Sequence, residues 1–412
     1  MGHRHAILDE FLAERIRMAG TAGKTRREIL SDAAKIAAAA SVAGLTGCFP
    51  NVGGRWPDAG ACSNGVPEDA GANGKTPFQP ATNAVVEVFR ESSVEKKAVG
   101  RYVIQPDAVP EMLEEGLKEL ARQVQASRQG VSASDGGQTD SDQDGGAGDN
   151  PWKVLLPGFR PGYRIGLKVN ALNGSVPTSS AVIRAIVLSL RDHLGVDPAT
   201  IIVWDRVLEN ELKGKARYHL ADLGGATLLG TVVTTNKATE GEPGYGAIIC
   251  PPIEGETPRI SRILTDLTDV TINVPVLKTH NVSGVTAAMK NIYGIIDIPA
   301  KYHKPKLQTA LPALYALPVI RHSLVLTIVD ALVGVVTGDT DSPPDEFPRR
   351  LLLSQDPVAA DNYALTLVNQ LRSAQQVPLP PINSGNNADI AKWIDLAHDL
   401  KLGDKSYSLI KV

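Results

Sequence analysis

Cysteine is nearly missing from this chain: Cys48, Cys62 and Cys250 are the three in 412 residues, and no two are spaced as C-x-x-C. A thiolate-ligated zinc ion or iron–sulfur cluster needs three or four such ligands, so neither is expected. Cys62 and Cys250 leave one disulfide or two free thiols open. Aromatic residues are also scarce, at 5%, and no stripe of lysine and arginine interleaves with them. Together with a net charge of −3, this gives no basic face for a nucleic-acid partner. Several nucleotide and hydrolase signatures are absent too: G-x-x-x-x-G-K-[ST], G-x-G-x-x-G, H-E-x-x-H and G-x-S-x-G. Nucleotide hydrolysis, thermolysin-type proteolysis and α/β-hydrolase chemistry are therefore disfavoured.

The apolar stretch at 33–45 is alanine-rich and shorter than the ~20 residues a membrane-spanning helix needs. It follows Arg26 and Arg27 and closes on Leu45-Thr46-Gly47-Cys48. Paired arginines, a short apolar region and small residues before a cysteine read as a twin-arginine signal peptide with a lipobox over 1–48. The expectation is export by the twin-arginine machinery, lipidation of the Cys48 thiol and cleavage before it by lipoprotein-processing enzymes. A thiolate supplies the nucleophile for lipid transfer. Several acyl chains, at ~0.8 kcal/mol per buried methylene, give a stable membrane anchor. The chain is thus expected as a membrane-anchored lipoprotein of the cell envelope.

Residues 49–83 are rich in Gly, Pro, Asn, Asp and Ala, a composition that reads as a disordered tether. A second low-complexity run, acidic, lies at 127–150. Within it Asp140, Asp142, Asp144 and Gly145 open like a calcium loop, but Pro151 stands where the bidentate glutamate belongs, so an EF-hand is not expected.

From 84 to 412 the pattern alternates β-rich runs with helical stripes. Strands are predicted at 84–89, 164–169, 200–204, 227–233, 247–250, 270–274, 324–329 and 350–353. Helices are predicted at 112–126, 179–194, 258–264, 285–292, 307–316, 358–371 and 388–400. Apolar runs such as Leu324–Val329 suit a sheet covered on both faces. The expected fold is α/β: a mostly parallel, doubly wound sheet with helices on both faces. Five strand ends carry polar groups, namely Lys168 with Asn170, Asp205, Lys278 with His280, Asp330 and Asp356. Ligands of open α/β sheets bind beyond the carboxyl ends of strands.

The run Asn273-Val274-Pro275-Val276-Leu277-Lys278-Thr279-His280 is followed by Gly284-Val285-Thr286 and by Met289-Lys290-Asn291-Ile292-Tyr293-Gly294. It closely resembles the P-x-L-K-T-H, G-x-T, K-N-x-x-G signature of the family called domain of unknown function 362. Gly166–Asn170 with Thr178, Thr327–Asp330 and Ser354–Asp361 are similar to other blocks of that family, over roughly 84–371. Val169 stands where the family often has proline, and Ala331 where it often has glycine. The ferredoxin-like cysteine array of some members is lacking here. The resemblance implies a site without implying a reaction.

Lys278 and His280, two apart in extended chain, should face the same way. Thr286 and Lys290 are expected one turn apart on a helix. Lys168, Lys278 and Lys290 would cradle a phosphate or carboxylate, with Asn170 and Asn291 supplying amide hydrogen bonds. His280 is the candidate acid or base and Lys278 its candidate partner. Asp205, Asp330 and Asp356 would alternatively take a divalent cation. Asp356 before Pro357 also fits a helix N-cap, and Asp361 fits a local salt bridge. His303 lines the site or stands exposed in its loop. An enzyme acting on a small anion, a binding lipoprotein without chemistry, and a scaffold of a membrane redox complex all remain open.

Overall fold

A computed structural model describes residues 78–98, 101–132, 150–156, 158–234, 242–249, 252–303, 305–338, 340–377 and 392–412. Arg26, Arg27, Cys48, Cys62, Cys250, Asp140, Asp142 and Asp144 lie outside these, as do the signal, the lipobox and most of both linkers. Apart from Glu242, the described residues belong to one compact unit, Val66–Lys237 with Pro243–Val412.

The chain enters on β1 (Ala84–Phe89), forms a small hairpin of β2 (Val94–Ala98) and β3 (Arg101–Ile104), and runs into helix α1 (Ala108–Ser132). Then come α2 (Pro151–Leu155), β4 (Ile165–Val169), α3 (Ser180–Leu194), β5 (Ile202–Val207) and β6 (Thr227–Val232). A second hairpin, β7 (Tyr245–Ile248) with β8 (Arg259–Ser261), precedes β9 (Val270–Val274), β10 (Val276–His280) and β11 (Gly284–Thr286). The remainder is a 3₁₀ segment (Met289–Ile295), α4 (Leu307–Tyr315), α5 (Pro318–Ser323), β12 (Leu324–Val335), β13 (Arg350–Ser354), α6 (Pro357–Ala374), α7 (Lys392–Asp399) and β14 (Ser408–Lys411).

These strands build one sheet in the order β14-β1-β13-β12-β9-β4-β5-β6. β12, β9, β4, β5 and β6 are mutually parallel, and β13 runs against both of its neighbours. The fold is therefore α/β with a mostly parallel, mixed sheet. Period-two alternation sends strand residues to opposite sides. Val86 and Val88 join one apolar core with α1, α2 and α3, while Val85 joins the other with α4, α6 and α7. Leu351 and Leu353 split from Leu352 in the same way. All of β12 is buried, as expected of a strand covered on both faces. Among the described residues no helix is long and apolar enough to cross a membrane.

Local chemistry explains the helix ends. The Ser179 hydroxyl accepts from the Ala181 N–H at the start of α3, and Gly195, at φ 66°, closes that helix in the left-handed region. Asp356 caps α6 ahead of Pro357.

Four expectations fail. Residues 127–132 continue α1 rather than starting the acidic linker. Phe78 and Ala81 pack on the core, and the Ala81 carbonyl accepts from the Ser127 hydroxyl at 2.6 Å, so the ordered domain reaches back before residue 84. The helix expected at 258–264 is strand β8 followed by a wide-turn segment, Ile263–Leu267. The strand expected at 247–250 forms Tyr245–Ile248 and stands in its own hairpin, outside the main sheet. Short apolar runs carry no period long enough to separate strand from helix.

A candidate anion site at the strand carboxyl ends

β4 leads through α3 to β5 on one side, while β9 flanks β4 on the other. That reversal opens a crevice beyond the carboxyl ends of β4 and β9. Pro275 follows β9 and has no N–H to continue the ladder. Its carbonyl accepts from Asp330 N at 2.8 Å, and the chain moves on to pair β10 with the far half of β12. β11 then returns antiparallel, placing Thr286 opposite Lys278 and Gly284 opposite His280. Lys278 and His280 thus share a face, as their spacing predicts. Thr286 and Lys290 do not share a helix. Residues 284–286 are strand and 289–295 are 3₁₀, so the helix expected at 285–292 is replaced by these two pieces.

Asp361 explains the second piece. Its carboxylate, buried in α6, accepts from Ala288 N at 2.6 Å and Met289 N at 2.7 Å. It anchors the Lys290–Asn291 segment and is not the local salt-bridge partner expected. Burial raises its carboxyl to about 7.

Lys168 and Asp205 form a buried ion pair at 2.7 Å. Asp205 also accepts from Ala171 N at 2.9 Å and Arg206 N at 2.8 Å. A Cβ on Gly294 would overlap both Asp205 Oδ1 and Lys168 Nζ, so the glycine of the K-N-x-x-G run lets the backbone lie against this pair. Lys168 is therefore neutralised within the fold and is not a free member of the expected cationic cradle.

Beside it runs an amide chain. Lys278 Nζ donates to Asn170 Oδ1 at 2.8 Å, Asn170 Nδ2 donates to Asn291 Oδ1 at 3.1 Å, and Asn291 Nδ2 donates to Asn273 Oδ1 at 2.8 Å. Asn273 in turn donates to the Ala288 carbonyl at 2.8 Å. Lys278 has no carboxylate within ion-pair distance among the described residues, and burial lowers its ammonium to about 7. The hydroxyl of Thr286, opposite it, is buried without a hydrogen-bond partner.

Lys290 is buried likewise, and desolvation lowers it to about 7. Its Nζ lies 3.2 Å from His303 Nε2 and 3.7 Å from the Tyr293 ring centroid. His303 Nδ1 is 3.0 Å from the Pro299 carbonyl, which assigns the ring proton to Nδ1 and leaves Nε2 to accept from Lys290. Burial first, then Lys290, lower His303 to about 4. His303 stacks on His280 with centroids 5.8 Å apart, so it lines the site. His280 Nδ1 accepts from Val282 N at 3.0 Å and Ser283 N at 3.3 Å, which assigns its proton to Nε2. A general base at Nδ1 would lose both of these bonds.

The three aspartates proposed for a cation go separate ways. Asp205 holds Lys168, and Asp330 accepts from Ser179 N at 2.7 Å and Leu332 N at 3.1 Å. Asp356 caps α6 through Val358 N and Ala359 N and also accepts from Asp404 N. Among the described residues no three His, Cys, Asp or Glu converge as a metal set. Asn273, Tyr293 and Gly294 belong to the site and escape single-residue reasoning, although all three stand inside the quoted motif run.

The chain is thus an α/β protein with its candidate site at the strand ends of a mostly parallel sheet. Residues 165–366 match the model of the family described as Domain of unknown function (DUF362). A solved protein from Thermotoga maritima is similar over 62% of this chain at 12% identity, with a TM-score of 0.30. The match spans 59% of that protein's own length. No curated protein matches the chain.

Proposed function

We propose that the domain binds a small anion, bearing a carboxylate, phosphate or sulfate group, between Lys278, Lys290, Thr286 and Asn170. The observation that carries this reading is the contrast among three buried lysines. Lys168 has Asp205, whereas Lys278 and Lys290 have no carboxylate within ion-pair distance among the described residues. An uncompensated buried ammonium costs several kcal/mol, and an anionic ligand would supply the missing charge. The unpartnered Thr286 hydroxyl offers a donor to the same ligand.

Isothermal titration of the full chain with sulfate at pH 6.5 tests this. Lys278→Met and Lys290→Met should each weaken binding about tenfold or more, the ~1.5–3 kcal/mol of a hydrogen bond to a charged group. A wild-type chain that takes up no sulfate, acetate or phosphate at millimolar concentration would sink the reading.

A second reading, proton transfer, is supported by the Lys290–His303 contact. An amine near neutral pKa, held on a neutral imidazole, is a better base candidate than His280. The export reading rests on the sequence alone: Arg26, Arg27 and Cys48 would place this site in the cell envelope on a lipid anchor. Cys48→Ser should then move the protein from the membrane to the soluble fraction, and an unchanged membrane fraction would rule the anchor out.

A further inference from the structure

A cavity of about 190 Å³ opens between the β2–β3 hairpin and the start of α3. Its lining includes Tyr102, Ser180, Arg217, Tyr218, Asp330 and Val333. At ~30 Å³ per water it holds about six water-sized groups, which suits a compact metabolite rather than a nucleotide. Asp330 is a buried carboxylate in its wall with no lysine, arginine or histidine within ion-pair distance among the described residues. Lys278 lies close enough to act on it electrostatically, but the Lys278 ammonium is bonded to Asn170. Two backbone N–H groups are the hydrogen-bond donors Asp330 has, and a carboxylate has room for more. The field of Asp330 reaches both tyrosines, helping to push the Tyr102 hydroxyl up to about 12 and that of Tyr218 well above its ordinary value, in each case after burial.

Arg217 lies in the same lining, exposed, with no ion pair among the described residues. Its backbone stands at φ 55°, which non-glycine residues rarely adopt. The lining of one cavity thus includes a buried anion and an exposed cation that form no ion pair with each other. Tyrosine faces favour an organic ammonium, and a guanidinium favours a carboxylate through its paired N–H groups.

We infer that this cavity is a second binding site, for a small zwitterion of the amino-acid class, with its ammonium on Asp330 and its carboxylate on Arg217. The inference does not rest on the anion site: none of Asn170, Lys278, Thr286 and Lys290 lines this cavity.

Calorimetric and thermal-shift titrations of the full chain with the common L-amino acids, methylamine and acetate test it. At least one amino acid should bind with a Kd below about 1 mM, and methylamine and acetate should each bind at least about tenfold more weakly. Arg217→Ala, an exposed change that spares the core, should lower the amino-acid affinity about tenfold, and Asp330→Asn should do the same. Saturating sulfate should leave the amino-acid affinity within about threefold, which separates this site from the anion site. The inference is overturned if no amino acid binds the wild type, if acetate binds as tightly as the zwitterion, if both variants retain full affinity, or if sulfate competes.

Discussion

Sulfate affinity should fall about 50-fold or more between pH 7 and pH 9. Sulfate keeps both charges over this range, so any change belongs to the protein. Lys278 loses its proton at about 7 in the free domain, because burial disfavours the ammonium. Half of it is charged at pH 7 and about one part in a hundred at pH 9. A bound dianion holds the proton on, so the apparent affinity follows the charged fraction of the free form. Lys290, lowered to about the same value, steepens the fall if both ammoniums touch the anion. Below pH 6 the curve should flatten, since both lysines are then charged before the ligand arrives. Binding above pH 8 should also take up protons, which titrations in two buffers of different ionisation enthalpy would reveal. Lys278→Met should lose this lysine's part of the pH dependence together with its part of the affinity. A flat affinity from pH 7 to pH 9 would mean that the anion does not meet these two lysines.

Much of this geometry was legible in the residues. The alternation of Lys278 and His280 required only that 276–280 be extended, and Pro275 sets that strand apart from β9. The meeting of Asn170 and Lys278 followed from their places near strand ends, whereas Asp330, read as ending a strand at 324–329, stands in the middle of the longer β12. What could not be read was which charges cancel. Lys168 and Asp205 stand on neighbouring strands, and only the register Lys168 opposite Trp204 brings them into contact. Short segments between glycines misled the helix expectation, because 284–295 has neither the length nor the period of a stable element. Its shape is imposed from outside by the Asp361 carboxylate, 73 residues away from Ala288 along the chain. Asp361 sits within a helical stripe, where sequence alone reads it as a local partner. His303 was undecided for a similar reason: its placement depends on Pro299 and Lys290, both brought in by folding.

Opposite stability effects at two buried lysines are the other large expectation. Lys168→Met should destabilise the domain by about 3–5 kcal/mol, since it strands the Asp205 carboxylate with only backbone N–H partners. Lys278→Met should instead stabilise the ligand-free domain at pH 6. No carboxylate is stranded there, and the lost donor leaves Asn170 Oδ1 short of one hydrogen bond, a cost of about 1–3 kcal/mol. Against this stands relief from burying an ammonium. Its pKa falls from 10.5 to about 7 on folding, which at ~1.4 kcal/mol per unit is on the order of 4–5 kcal/mol when the group is charged. The net gain is about 1–4 kcal/mol. The sign follows from a base whose folded pKa is depressed: its contribution is intact above 10.5 and is lost as pH falls through 7. The gain of Lys278→Met should therefore be largest below pH 7 and vanish towards pH 10. Urea unfolding of both variants at pH 6, 8 and 10 reads all of this. If Lys278→Met loses stability at pH 6 as Lys168→Met does, then Lys278 is a structural cation with a partner in the fold. The anion would then have no unmet charge to satisfy. A variant that is steadier yet fails to bind sulfate would instead mark Lys278 as kept at the expense of stability, which is how a binding residue behaves.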